Sequence, residues 1–269
     1  MFKKLLLFLF PMTLLAFEVD PWFTPLAEFN LRPSYSYRYY PDIDRARNPS
    51  HYSSHDHLIA LNLGVNFLPN WDFQIETDFS STRKLSWGTQ RLGLQLRYLF
   101  MDDVAGAPVS LTAGVQVFYV PTRNMRDPSS PYHAQGNLEL GIAVGKEIAK
   151  VYDWQYRFYG FVGVGTGNRG YPWLRPLLSG MFKFRHHHQF ELYSEGYFGF
   201  GRRHHVDISR LNGYAKIMHQ SIDVGASYHY LFEIWGSLGI QYSYRVYAHA
   251  FPERANILKV EYRLPFSIF

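Results

Sequence analysis

Cysteine is absent from the 269 residues, which excludes disulfides, thiolate metal ligands and lipid attachment at a lipobox. Long apolar runs are also missing. Beyond Phe17 nothing approaches the roughly 20 consecutive apolar residues that a membrane-spanning helix requires. Charge of one sign is scarce as well: the net charge is only +5 and dispersed, so no nucleic-acid partner is expected. Nothing in the histidine and carboxylate spacing implies a metal or an organic cofactor.

Aromatic residues, by contrast, make up 18% of the chain and recur at every second position between clusters of Gly and Pro. The chain opens Met1-Phe2-Lys3-Lys4 and continues with an apolar stretch from Leu5 to Phe17, broken at Pro11. That pattern predicts a secretory signal peptide over residues 1–16, cleaved near Ala16, and a single domain over residues 17–269. Leu14 stands where a signal peptidase prefers a small residue.

The final stretch shows the repeated pattern most plainly. Leu258, Val260, Tyr262 and Leu264 alternate with Lys259, Glu261 and Arg263, and the chain stops at Phe269. A period of two with one apolar and one charged face is a strand between unlike environments. A chain ending in such a strand on an aromatic resembles the outer-membrane β-barrels of Gram-negative bacteria. The resemblance implies an all-β, antiparallel up-and-down transmembrane barrel in the cell outer membrane, with both termini in the periplasm. It also implies contact with membrane lipid and lipopolysaccharide, and recognition of the last strand and Phe269 by the barrel-assembly machinery. Pro265 interrupts the alternation, and a bulge there would bring Phe269 back into phase.

Twelve alternating segments can be counted: 26–40, 58–67, 71–80, 87–100, 109–119, 137–146, 154–165, 173–185, 190–200, 217–230, 234–247 and 256–269. Pro176 cannot donate to a ladder, so the eighth is expected to begin at Leu177. The links after odd segments are long and those after even ones short, as in a barrel with external loops and periplasmic turns. Beside the short turns fall Phe67, Trp71, Phe73, Tyr98, Phe100 and Trp154. Tyr156, Phe184, Phe190, Tyr228 and Tyr230 complete an expected aromatic girdle at one membrane interface. A soluble β-sandwich explains the alternation equally well, but not aromatics confined to turn-proximal positions.

With the apolar face toward lipid, the polar face lines the lumen. The third segment contributes Asp72, Glu76 and Asp78, and the fourth Arg91 and Arg97. Lys183 and Arg185 are expected to face Glu191 and Glu195 on the next strand. Lys259, Glu261 and Arg263 meet Arg32 and Arg38 after closure, and Arg157, Asp223 and Arg245 complete the set. Opposite charges on adjacent strands can pair across a ladder. Such pairs either rigidify a narrow lumen or form the opposed charged walls of a small channel. The first expectation is a narrow porin-like channel for small polar or ionic solutes, and not an enzyme. A structural or surface-interaction barrel, binding through loops 41–56 and 120–136, is one alternative, and an outer-membrane lipid hydrolase using His219 and Ser221 is another.

Other motifs carry less. His219-Gln220-Ser221 has the spacing of the His and Ser pair in twelve-stranded outer-membrane lipid hydrolases, with Asp223 available to orient His219. The alternation puts that pair on the lumen side, whereas in those enzymes it faces lipid. Gly165-Thr-Gly167-Asn-Arg-Gly170 matches a dinucleotide fingerprint but has no helix behind it, so it reads as a glycine-rich hairpin. His186-His187-His188 falls in a short turn, and His204 and His205 share a loop with Arg202, Arg203 and Arg210.

Overall fold

The computed structural model describes residues 19–150, 154–232 and 234–267. The predicted signal peptide and Phe269 lie outside the described residues. Twelve long strands close into one antiparallel up-and-down barrel. They are β1 (Glu28–Tyr40), β2 (Ser54–Leu68), β3 (Trp71–Ser81), β4 (Gly88–Met101), β5 (Ser110–Tyr119) and β6 (Gly136–Lys150). The second half comprises β7 (Trp154–Gly167), β8 (Trp173–Phe184), β9 (His188–Gly199), β10 (Gln220–Phe232), β11 (Gly236–His249) and β12 (Asn256–Ser267). Each strand pairs with its sequence neighbours, and β1 pairs with β12 to close the wall. Closure removes both sheet edges, so every strand finds ladder partners on two sides.

Burial alternates as the sequence pattern requires. On β3 the polar Asp72, Gln74, Glu76 and Asp78 are buried on the inside, while Ile75 and Phe79 are exposed on the outside. This arrangement inverts a soluble sandwich, whose apolar faces would be covered.

Two local expectations are corrected. No bulge forms at Pro265: the β1–β12 register passes through Asn30–Pro265 and Phe29–Phe266 without a shift. Pro265 takes an inward position, and Phe266 continues the outward row by stacking on Phe29 at 5.4 Å. The second correction concerns β8, which begins at Trp173 rather than Leu177. Pro176 is accommodated because it pairs with Val162 on β7, while the β8–β9 bridges are interrupted between Leu174 and Leu177. A genuine irregularity lies between Asp78 and Phe79 on the β3–β4 ladder. It puts Gln90 and Arg91, consecutive residues of β4, both on the inside.

At one end the strands join through short turns, such as Pro69-Asn70. At the other they join through longer loops that pack on each other. Asp42–Ile43 pairs with Pro252–Glu253, and Ala46–Arg47 with Val206–Asp207. Tyr40, Ile43, Tyr52, Val206, Tyr214 and Phe251 belong to an apolar core among these loops, capping the barrel.

Candidate functional site

Inside the barrel, charged side chains are removed from water and must find partners. The Arg91 guanidinium donates through Nε to Asp78 Oδ2 at 2.9 Å and also binds Glu76. Arg97 donates to Asp72 at 2.8 Å. Arg38 donates from two nitrogens to Asp56, and Arg32 donates to the amide oxygens of Asn62 and Gln74. Arg245 grips Asp223 through two hydrogen bonds, and Arg157 meets Glu147 at 2.8 Å. On β12, Lys259 and Arg263 each approach Glu261 at 2.6 Å.

The expected pairing of β8 with β9 differs. Arg185 lies outside β8, exposed in the turn before β9, with its guanidinium over the Phe184 ring. It is not a lumen residue, because β8 ends at Phe184. Lys183 stands opposite Gln189, and Glu191 opposite Met181. Glu195 instead binds Arg175, which is shared with Glu139 on β6.

The Arg175–Glu139 pair was missed because the proline placed Arg175 ahead of the expected strand. Glu139 alternates with Leu138 and Leu140 and was readable as inward from that. Gly163 and Gly165 explain how the group fits. A side chain at Gly163 would run into Glu139, and one at Gly165 into Trp173, which donates its indole N–H to Glu139 at 2.8 Å. Of the glycines that suggest a nucleotide loop, Gly165 leaves room for the buried Trp173, and Gly167 and Gly170 lie against Ala134 and Ala215.

Part of this network lines a cavity of about 220 Å³ inside the barrel. Arg32, Arg38, Arg91, Arg175, Arg245 and Arg263 contribute basic side chains to its wall. Asp20, Glu139, Glu191, Glu195, Asp223 and Glu261 contribute acidic ones.

Toward the short-turn end, residues 19–25 enter the barrel. Val19 packs with Ala143 and Phe161, and the Asp20 carbonyl accepts from Arg97 at 2.7 Å. Trp22 donates to Asp103 at 3.0 Å and lies under the Arg157 guanidinium, while Phe23 lies under Arg97.

Toward the long-loop end, loop 120–135 folds inward. Its Ser129 accepts from Arg38 through the carbonyl and contacts Tyr40 through the hydroxyl. Its His133 stacks on Trp173, with ring centres 4.4 Å apart, and its Nε2 faces His219 Nε2 at 3.0 Å. Tyr197 contacts His133 Nδ1 at 2.9 Å. Burial pushes His133 down to about 3 and holds His219 well below the usual imidazole range. Both rings are therefore neutral at pH 7, and one of the facing nitrogens donates to the other.

This geometry separates the parts of a hydrolase triad. His219 is turned to His133, Asp223 is occupied by Arg245, and Ser221 is buried on the inner face. Among the described residues no group of three or more His, Asp or Glu could hold a metal ion.

The outer face carries the aromatics named above. Trp71 meets Tyr98 at 4.8 Å, and Tyr98 meets Phe100 at 4.8 Å. Trp154 meets Tyr156 at 4.9 Å, and Phe190 meets Tyr228 at 5.0 Å. Phe67, Phe73, Phe184 and Tyr230 stand on the same face near the short turns. Phe182 joins them against Tyr156.

No family model matches the sequence, and no curated protein does. Solved structures share its fold. An outer-membrane channel from Pseudomonas putida F1 superposes with a TM-score of 0.62 at 12% identity, covering 93% of this chain and 100% of the other. The NanC porin gives 0.53 at 10% identity over 88% and 98%. A KdgM porin in complex with disordered oligogalacturonate gives 0.50 at 8% identity over 87% and 98%.

Proposed function

We propose that this chain is an outer-membrane barrel, both termini facing the periplasm, that works as a narrow and gated channel for small polar or ionic solutes. The observation that carries the reading is the charged cavity inside the barrel. A purely structural barrel of this width has no need of an internal space walled by arginines and carboxylates, whereas a selective pathway is built from such groups. The exposed apolar outer band and the fold shared with an outer-membrane channel and two porins support a membrane setting. Residues 19–25 and loop 120–135 stand at the two ends of the pathway as its constrictions. The last strand, running toward Phe269, serves as the assembly signal, and the outer surface meets lipid and lipopolysaccharide.

Loop 120–135 is largely buried, which leaves it little surface for a partner, whereas loop 41–56 keeps residues 47–51 exposed. Single-channel recording of the refolded mature chain tests the proposal, with Arg175→Ala and Arg245→Ala beside it. Steady conductance whose ion preference changes in the variants supports it. A silent bilayer, with protein that still shows the heat-modifiable mobility of a folded barrel, overturns it in favour of a closed structural barrel.

A further inference from the structure

Apart from Arg91 on β4 and Asp20 on the inserted segment, the charges around the cavity are not mixed at random. On β11, β12 and β1 the lining holds Arg245, Lys259, Arg263, Arg32 and Arg38 against the single carboxylate of Glu261. On β6 and β8–β10 it holds Glu139, Glu191, Glu195 and Asp223 against the single cation of Arg175. In the strand order, β6 with Glu139 lies opposite β12, and β9 with Glu191 and Glu195 lies three strands from β12, a quarter of the ring away. A field therefore crosses the cavity from a basic wall to an acidic one.

Glu191 marks the acidic side. Glu139 and Glu195 hold Arg175, and Asp223 holds Arg245. Glu191 instead accepts hydrogen bonds from the hydroxyls of Ser179 at 2.5 Å and Ser227 at 3.3 Å. Among the described residues it has no cationic partner. On the basic side, two cations converge on Glu261, so that cluster is rich in donors relative to its carboxylates.

We infer that the cavity is a binding site for small zwitterions of amino-acid size, held with the carboxylate toward β11, β12 and β1 and the ammonium toward Glu191. This deepens the channel reading and rests on it. A simple ion is drawn to one wall and repelled by the other. A neutral polyol gains nothing from the field. A zwitterion aligned across the cavity gains at both ends and carries no net charge to be desolvated. The size agrees, because a space of about 220 Å³ is on the scale of one small molecule.

The test is swelling of proteoliposomes containing the full refolded chain, in isosmotic L-glutamine or D-glucose, which are similar in size. Entry of L-glutamine is expected to be about tenfold faster, which corresponds to about 1.4 kcal/mol of preference. Glu191→Gln should bring the ratio toward one, and Glu191→Asp should retain it. Equal rates in the wild type, or a ratio unchanged in folded Glu191→Gln, overturn the inference and leave the channel reading standing. If neither solute enters, the channel reading fails, and calorimetric titration of L-glutamine into the solubilised barrel decides the rest. Saturable heat absent with D-glucose and lost in Glu191→Gln sustains the site, and heat no different from that of D-glucose overturns it.

Discussion

Asp78 on β3 and Arg91 on β4 are directly opposed across the ladder and joined through Nε and Oδ2 at 2.9 Å, and the same guanidinium reaches Glu76. One cation thus serves two carboxylates away from water. Removing it strands both. Arg91→Ala should destabilise the barrel by about 3–5 kcal/mol in urea unfolding from lipid or detergent. Replacing the group together, with Arg91→Met, Glu76→Gln and Asp78→Asn, should recover most of that loss. A single Arg91→Ala variant as stable as the wild type would show that water reaches the group.

Residues 19–25 hold their place in the barrel through Trp22, which donates to Asp103 and lies beneath the Arg157 guanidinium. A buried cation–π contact contributes roughly 0.5–2 kcal/mol, and the hydrogen bond about 1 more. Trp22→Ala should therefore loosen the segment without unfolding the wall. Single-channel recordings are expected to show longer or larger openings in Trp22→Ala, and larger ones still when residues 19–25 are deleted. Unchanged conductance in the deletion would mean that the segment does not obstruct the pathway.

The wall was legible in the sequence, and its contents were less so. Twelve strands could be counted because each separates a polar interior from an apolar exterior, a contrast that writes a period of two into residues such as Leu258 to Arg263. Asp72, Asp78, Arg91 and Arg97 followed from that alternation alone. Arg175 did not, because a proline beside it was read as a strand boundary, although a ladder interrupted on one side tolerates it. Residues 19–25 and loop 120–135 were the larger omission. Their docking depends on contacts with residues distant in the chain, such as Trp22 with Asp103 and His133 with Trp173 and His219, and no local periodicity records them. The aromatic and proline content of Asp20-Pro21-Trp22-Phe23 was the signal available.

The facing imidazoles of His133 and His219 make the docking of loop 120–135 sensitive to acid. Released into water, His133 titrates near 6.5; docked, it is pushed down to about 3 by burial. Between those values the released loop binds more protons than the docked one, so docking weakens as pH falls. The contribution is complete above pH 6.5 and disappears progressively toward pH 3. Tyr197 and Trp173 face His133, and Tyr214 and Phe251 face His219; among the described residues no carboxylate is hydrogen-bonded to either ring to offset the charge. Amide hydrogen exchange in 120–135, corrected for intrinsic rates, should rise between pH 7 and pH 4.5. His133→Phe, which keeps the stacking on Trp173 and removes the titrating nitrogen, should flatten that dependence. A loop equally protected at both pH values in the wild type would contradict this acid sensitivity.

The outer face gives the sharpest distinction between a barrel in lipid and one in water. Ile142 lies in the middle of β6, paired with Ala113 and Val162, and Phe100 lies at the end of β4 beside the turn. Their exposures are nearly equal, 56% and 58%. In water, equal exposure means that an arginine at either site costs almost nothing, since its side chain stays solvated. In a bilayer, depth decides: arginine near the midplane costs about 2–4 kcal/mol and near the interface about 0–1. Ile142→Arg is therefore expected to lower stability in lipid vesicles by several times as much as Phe100→Arg. Equal and negligible effects would place the apolar face in water and remove the ground for reading Phe100, Tyr98 and Trp71 as an interfacial girdle.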